Sequence, residues 1–192
     1  MSSSGEKLNS PQYDKSLLKS CGEDVFISSN IEIRRPHLVS VGNHVAIDTG
    51  FYLTTAAEIG DYIHIAPYTT IIGGSQALLK MGHFASIAAG SRIICASDEH
   101  LGHGLVGPTV PEEYHDIVHT APVVFENFAN IGTNVMVMPG VTLGEGSVVG
   151  AGSLVNKDTE PWTIYIGVPA RPVKVRPRER MLTFAKELGY FN

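Results

Sequence analysis

Residues 41–71 read VGNHVAIDTGFYLTTAAEIGDYIHIAPYTTI. An aliphatic residue stands at every sixth position: Val41, Ile47, Leu53, Ile59, Ile65 and Ile71. Four residues after each of the first five comes a second, small or apolar residue: Val45, Phe51, Ala57, Ile63 and Thr69. The rhythm slips, returns at Met81, Ile87 and Ile93, breaks, and returns again at Phe125, Ile131, Val137, Leu143, Val149 and Val155. A helix needs apolar residues at i, i+3, i+4 and i+7, which this pattern does not sustain. Simple strand alternation fails as well, because Gly, Asn, Asp and Pro recur inside each unit. A solenoid of short strands satisfies both constraints. One hexapeptide makes one flat side, its aliphatic residue points inward, turn formers sit at the corners, and each coil hydrogen-bonds to the next. The expected fold class is therefore an all-β solenoid. A β-sandwich does not hold a fixed period over so many units.

The 192 residues suit one domain, with 43% hydrophobic and 17% charged side chains. No apolar run approaches the ~20 residues of a membrane-spanning helix. Residues 1–7 lack the apolar stretch of a secretory signal. Only Cys21 and Cys95 are present, so a disulfide framework is not expected and a reducing cytoplasm fits best. The net charge of −5 argues against nucleic-acid binding. Positive charge nevertheless gathers at Arg171, Lys174, Arg176, Arg178 and Arg180. Such a run is either the solvated face of a terminal helix or a site for a phosphate-rich ligand.

Ser10-Pro11 forms a helix start, which predicts a short helix over residues 11–20 ending at Gly22. A second helix is expected over 177–188, stopping at Gly189, with Met181, Leu182, Ala185 and Leu188 as its apolar stripe. The expected organisation is an N-terminal helical segment over 1–24, the solenoid over 25–169 with a loop extruded over 98–122, and a basic C-terminal segment and helix over 170–192. The two helices would cover the open ends of the coil. The loop holds Asp98, Glu99, His100, His103, Glu112, Glu113, Tyr114, His115, Asp116 and His119. A long interruption with four of the eight histidines marks a functional loop.

Residues 131–158, IGTNVMVMPGVTLGEGSVVGAGSLVNKD, followed by GVPARPVK at 167–174, resemble the last coils and exit of the galactoside and maltose acetyltransferases. These belong to the hexapeptide-repeat acyltransferases, and the likeness spans about 41–174. GPTVPEEY at 107–114 and PWTIYIGVPA at 161–170 are similar to acyltransferases of surface-polysaccharide sugars. The resemblance implies a left-handed parallel β-helix and a homotrimer with active sites between subunits. It also implies acetyl-CoA as co-substrate, a small-molecule sugar acceptor and no resident metal. In that reading the reaction is N-acetylation of a nucleotide-linked deoxyamino sugar for O-antigen, lipopolysaccharide or capsule assembly. O-acetylation of a sugar is the alternative. More distant are a γ-class zinc carbonic anhydrase, which uses the same solenoid, and a non-catalytic solenoid.

A hydroxyl acceptor needs a base, whereas an unprotonated amine can attack a thioester directly and shed its proton afterwards. By resemblance the base falls on His100 if two residues are inserted, or on Asp98 without a gap, with Glu99 beside them; His64, His103 or no protein base at all are the remaining alternatives. Asp48, Tyr52 and Thr54 occupy the stretch that corresponds to the family's acceptor wall, although the family's Asn is missing there. His64 follows the inward Ile63 and is expected to face outward, toward a partner subunit or the acceptor. His83 has a similar setting. On the cofactor side the likeness carries over Thr133, Gly150, Ala151, Asn156 and Lys157 along the coil. Arg171 and Lys174 fall where the CoA phosphates lie, a fork and a point charge suited to phosphate. Their spacing of three is expected to put both on one side of the exit segment.

Overall fold

In the computed structural model, which describes residues 10–191, the hexapeptide rhythm closes into about seven stacked coils, each with three flat sides. The first face stacks Ser20–Cys21, Val39–Val41, Ala56–Ile59, Leu78–Met81, Val123–Phe125 and Thr142–Leu143. The second stacks Phe26–Ile27, Ala46–Ile47, His64–Ile65, Ser86–Ile87, Asn130–Ile131, Val148–Val149 and Thr163–Gly167. The third stacks Glu32–Ile33, Tyr52–Leu53, Thr70–Ile72, Arg92–Ile94, Met136–Val137 and Leu154–Val155. All these pairings are parallel, and identical positions of the repeat fall in register. Inside the second face the register lines up Ile27, Ile47, Ile65, Ile87, Ile131, Val149 and Tyr165. Every residue of that ladder is at most 7% exposed. Fully burying one such aliphatic side chain contributes on the order of 1.5–3 kcal/mol.

All of the sixth-position aliphatic residues are buried, and so are the residues four places on, except Ser75 and Ser97, where the rhythm breaks. Polar members of the second set carry their own partners. The Thr69 hydroxyl donates to the Ala66 carbonyl (2.9 Å), Ser91 to that of Gly132 (3.1 Å), and Ser153 accepts from the Gly167 amide (3.0 Å). A hydroxyl in a dry core is tolerated when it is paired in this way.

The corner between the first and second faces is built unusually. His44, Tyr62, Phe84, Phe128 and Trp162 all sit there with φ between 52° and 61°. A left-handed conformation costs a non-glycine residue about 1–2 kcal/mol. Here the side chains offset it by stacking from coil to coil, with ring centroids 4.5, 5.1, 5.1 and 5.6 Å apart along that order. The helix Glu179–Glu187 covers this column, burying Ala185 against Phe128 and Trp162 with Met181 and Leu182 alongside. Gly189, at φ 89°, turns the chain after the helix, as expected from the sequence. Tyr190 and Phe191 then fold back on the same column. Arg176 locks the strand leading to the helix, donating through Nη1 to the carbonyls of Phe128 (3.0 Å) and Gly146 (2.9 Å). It is thereby removed from the basic run that the sequence suggested for a ligand.

The Tyr190 hydroxyl donates to Asp61 Oδ2 at 2.8 Å, clasping the C-terminal end to the third coil. Burial alone would raise the Asp61 carboxyl. The amide of Asn43, the Tyr190 hydroxyl, His83 and the Asn43 side chain outweigh it and hold Asp61 below the ordinary carboxylate value. The hydrogen bond to Asp61, with burial adding to it, pushes the Tyr190 phenol up to about 12. A depressed carboxylate contributes stability above its unfolded pKa and loses it as pH falls through the folded one. Tyr190→Phe is therefore expected to lower Tm by about 3 °C at neutral pH. The gap should narrow only in melts run well below about pH 4, because Asp61, held below the ordinary carboxylate value, takes up its proton later than a free carboxyl does. A gap that persists unchanged in acid would mean that the clasp does not act through Asp61.

The expected helix over 11–20 does not form. One 3-10 turn, Lys15–Leu17, is capped by Asp14, and Ser20–Cys21 is already the first strand of the first face. The reason lies in the open end of the coil. The amides of Lys19 and Gly22 reach the carbonyls of Val39 (3.0 Å) and Val41 (2.9 Å), which a helix would have left unpaired. The solenoid therefore starts before residue 25, while residues 1–9 lie outside the described residues. At the other end Ala170–Val175 returns antiparallel along Thr163–Gly167 and completes the second face.

Candidate active site

The register of the second face draws one column along its corner with the third. One residue beyond the inward ladder lie Ser28, Asp48, Ala66, Ala88, Gly132, Gly150 and Ile166, and Arg171 pairs with Ile166 across the final hairpin. Between the basic hairpin and Asp48 the column thus carries only Gly and Ala after Ile166. Gly132 is required by stacking, since a Cβ there would lie 2.7 Å from the Ala151 amide nitrogen. Thr133 and Ala151 flank this column, exposed and on adjacent coils, with the Gly152 amide bonded to the Thr133 carbonyl at 2.9 Å. The structure thus brings Thr133, Gly150 and Ala151 together, as the sequence suggested. Asn156 and Lys157 are exposed too, but they follow the third-face strand Leu154–Val155 and lie across that face from the column.

Arg171 and Lys174 do end on one side, for a reason the sequence did not show. In a regular strand a spacing of three puts two residues on opposite faces. Here the pairing shifts, with Tyr165 opposite Pro172 and Ile164 opposite Lys174, so that Val173 is an extra residue. This bulge returns Lys174 to the face of Ile164, the same face on which Arg171 lies beside Ile166. Both cations are exposed, and among the described residues neither is in an ion pair.

At the other end of the column His64 Nε2 lies 2.8 Å from Asp48 Oδ2, with the imidazole half-exposed. Asp48 comes from the second coil and His64 from the third. Ser86 and Asn130 continue the same outward ladder, joined by a 2.9 Å hydrogen bond from Asn130 Nδ2 to Ser86 Oγ. Tyr52 faces out of the third side with the Arg34 guanidinium 5.2 Å above its ring. Thr54 is buried, and its hydroxyl accepts from the Gly73 amide at 3.1 Å, so its side chain is occupied within the fold. His83 is a corner cap. Its Nδ1 accepts from the Asp61 amide at 3.0 Å and also lies 3.3 Å from Asp61 Oδ2. One nitrogen cannot both accept the amide proton and donate to the carboxylate, and the amide bond is the shorter.

The loop leaves from the corner between the third and first faces on a two-stranded ribbon, Ala96–Asp98 with Val118–Thr120. Asp98 is half-buried at its tip and His103 Nδ1 lies 3.6 Å from Glu99. His100 is exposed at φ 59°. Its amide donates to Asp116 Oδ2 (2.9 Å), and the amide of Ile117 donates to Asp116 Oδ1 (2.9 Å). Asp116 is only 4% exposed. Its place as the loop's organiser was not visible in the sequence, where it is one acid among several. Leu101, Leu105, Val106, Tyr114, Ile117 and Val118 are exposed on the loop, a large apolar surface for so short a segment. Within one chain the loop base and the Asp48–His64 pair sit at opposite ends of the third face, up to about 20 Å apart for six extended residues. The Cys95 thiol is pushed up to about 11 by burial, which makes it a poor nucleophile. Among the described residues no three His, Cys, Asp or Glu side chains converge to hold a metal ion.

Comparison with known proteins places this geometry. Residues 122–157 match the family model described as bacterial transferase hexapeptide (six repeats). The chain is 35% identical over 176 residues, 90% of each protein, to the dTDP-4-amino-4,6-dideoxy-D-glucose acyltransferase of Escherichia coli. It is also similar to AntD, an N-acyltransferase from Bacillus cereus solved in complex with dTDP and 3-hydroxybutyryl-CoA. The identity is 35% and the TM-score 0.87, covering 94% of this chain and 97% of that one. A single-residue variant of AntD was solved with dTDP-4-amino-4,6-dideoxyglucose and coenzyme A, and it aligns over 95% of this chain and 100% of its own with the same TM-score. Similarity to the galactoside O-acetyltransferase of Escherichia coli is lower, 27% over 77% of this chain and 62% of that protein.

Proposed function

The chain belongs to the hexapeptide-repeat acyltransferases, and from that premise we propose that it N-acylates the amino group of a nucleotide-linked deoxyamino sugar with acetyl-CoA. The observation that carries this reading is the 35% identity over 90% of both chains to an acyltransferase of dTDP-4-amino-4,6-dideoxy-D-glucose. The geometry supports it. Arg171 and Lys174 face one way and receive the CoA phosphates, and the Gly/Ala column beyond them is a bed for the pantetheine arm, with backbone in reach. The acceptor's amine meets the thioester where that column ends. No cluster of metal ligands is needed for an amine attacking a thioester.

The working unit is a homotrimer, in which the loop of one subunit lies on its neighbour. Six exposed apolar side chains on the loop favour such a contact. The contact also brings Asp98, Glu99, His100 and His103 of one subunit to the acceptor side of a site whose column belongs to the next. Cys21 and Cys95 are both free thiols, which fits a cytoplasmic enzyme feeding surface-polysaccharide assembly.

The test is CoA release from acetyl-CoA, followed with a thiol reagent. The acceptors are dTDP-4-amino-4,6-dideoxyglucose, other nucleotide amino sugars and simple galactosides, with 3-hydroxybutyryl-CoA as second donor. Turnover confined to the amino sugars is expected. Turnover confined to galactosides would replace the reading by O-acetylation. Light scattering should give three times the 20.6 kDa chain mass.

A further inference from the structure

We propose that His64, oriented by Asp48, is the group that takes the proton from the attacking amine and returns it to the leaving thiolate. The inference deepens the acyltransferase reading and rests on it. Three observations converge. First, the column from Arg171 through Ile166, Gly150, Gly132, Ala88 and Ala66 reaches Asp48, with only Ser28 beyond it. The rows of Ile166 and Ala66 are four strand spacings apart, about 19 Å, a length that an extended phosphopantetheine arm covers. With its phosphates on the hairpin, an acyl-CoA therefore brings its thioester to the rows of Ala88 and Ala66.

Second, His64 stands on that same strand row, two residues before Ala66 and on the same side of the strand, about 7 Å along the backbone. A half-exposed imidazole reaches the acyl carbon's neighbourhood from there. The loop histidines of the same chain lie across the third face.

Third, the pair is built for one tautomer. With Nε2–H donating to the Asp48 carboxylate at 2.8 Å, the Nδ1 lone pair is left free, and among the described residues nothing binds it. This is the arrangement of a base held by a carboxylate. The balance closes. The neutral amine attacks the acyl carbon, the N–C bond forms and the C–S bond breaks. The proton on nitrogen moves to His64 Nδ1, and the imidazolium passes it to the sulfur, giving amide and CoA thiol. Asp48 touches neither reactant and is a positioning residue.

The experiment uses the full-length protein with acetyl-CoA and dTDP-4-amino-4,6-dideoxyglucose. His64→Gln is expected to lower kcat on the order of 100-fold while KM for acetyl-CoA changes little. Asp48→Asn should lower kcat in the same way, and Asp48→Glu should recover part of it, which a merely structural role would not produce. An independent readout needs no acceptor. In 15N spectra of the histidine side chains, His64 should show a proton on Nε2, and added acetyl-CoA should shift its Nδ1 resonance. Full kcat in His64→Gln overturns the proposal, as does a His64 resonance that saturating acetyl-CoA leaves untouched. If wild-type protein turns over no amino sugar yet acetyl-CoA moves the His64 signal, the acceptor reading fails while His64 keeps its place beside the thioester.

Discussion

Replacing Arg171 and Lys174 together by alanine is expected to raise KM for acetyl-CoA by about 30–100-fold, with kcat nearly unchanged. The magnitude follows from removing two charge-assisted phosphate contacts, discounted because both side chains are solvated. Such contacts bind ground state and transition state alike, so their loss appears in KM. S-acetylpantetheine, which lacks the nucleotide phosphates, is the control. Wild type and double variant should use it equally poorly. Arg171→Lys should fall between, since an ammonium keeps the charge but not the planar fork. A double variant with wild-type KM would mean that the hairpin is not where the phosphates lie. The Val173 bulge would then have no ligand-related consequence.

The largest effect on stability is expected from Phe125→Ala. Phe125 is fully buried on the first face, in register between Met81 above and Leu143 below. Truncating a phenylalanine in such a site costs about 3–5 kcal/mol, part lost transfer energy and part cavity. Total stabilities are about 5–15 kcal/mol, so this change removes a large share. Urea melts at fixed protein concentration should show a lower midpoint with an unchanged slope. Lys80→Ala, in the same face but pointing outward, should shift the midpoint within about 0.5 kcal/mol. If the two variants melted alike, the inward ladder would not be the source of the fold's stability.

The parts of this fold that were legible in the sequence are those where one residue type repeats because one physical demand repeats. Ile47, Ile65, Ile87 and Ile131 occupy the same point of successive coils, so their spacing announces the coil. The C-terminal helix was legible for a similar reason, with Met181, Leu182 and Ala185 as its apolar stripe and a terminal glycine, although it spans Glu179–Glu187 and leaves Leu188, read into that stripe, exposed. The N-terminal helix was misread because local signals, Ser10-Pro11 and the residues after them, compete with a demand made elsewhere. The carbonyls of Val39 and Val41 need partners, and only tertiary structure reveals that. The aromatic corner was illegible for the opposite reason. His44, Tyr62, Phe84, Phe128 and Trp162 sit in a conformation their residue types disfavour. In the candidate site, the grouping of Thr133, Gly150 and Ala151 was readable because closely stacked coils demand small residues at repeating positions. Thr54 was read as acceptor-facing because a threonine in sequence does not tell whether its hydroxyl is free. The Asp48–His64 pair joins residues 16 apart, and a coil of variable length hides that adjacency.

The loop interrupts the chain without interrupting the ladder. His83 and Asn127 are 44 residues apart yet hydrogen-bonded on adjacent coils, the relation that Asn43 and Asp61 reach in 18. The coil therefore imposes no limit on how much chain is looped out at this corner, so long as the two ends of the ribbon meet. Change in the loop and change in the column are mechanically independent. A lineage could lengthen, shorten or rewrite the loop, and with it the shape presented to an acceptor, while the track from Arg171 to Asp48 kept its length to within a strand spacing. Grafting the corresponding loop of another member between Cys95 and Ala121, whose backbones already meet at 3.0 Å, should exchange one kind of recognition and leave the donor's path as it stands.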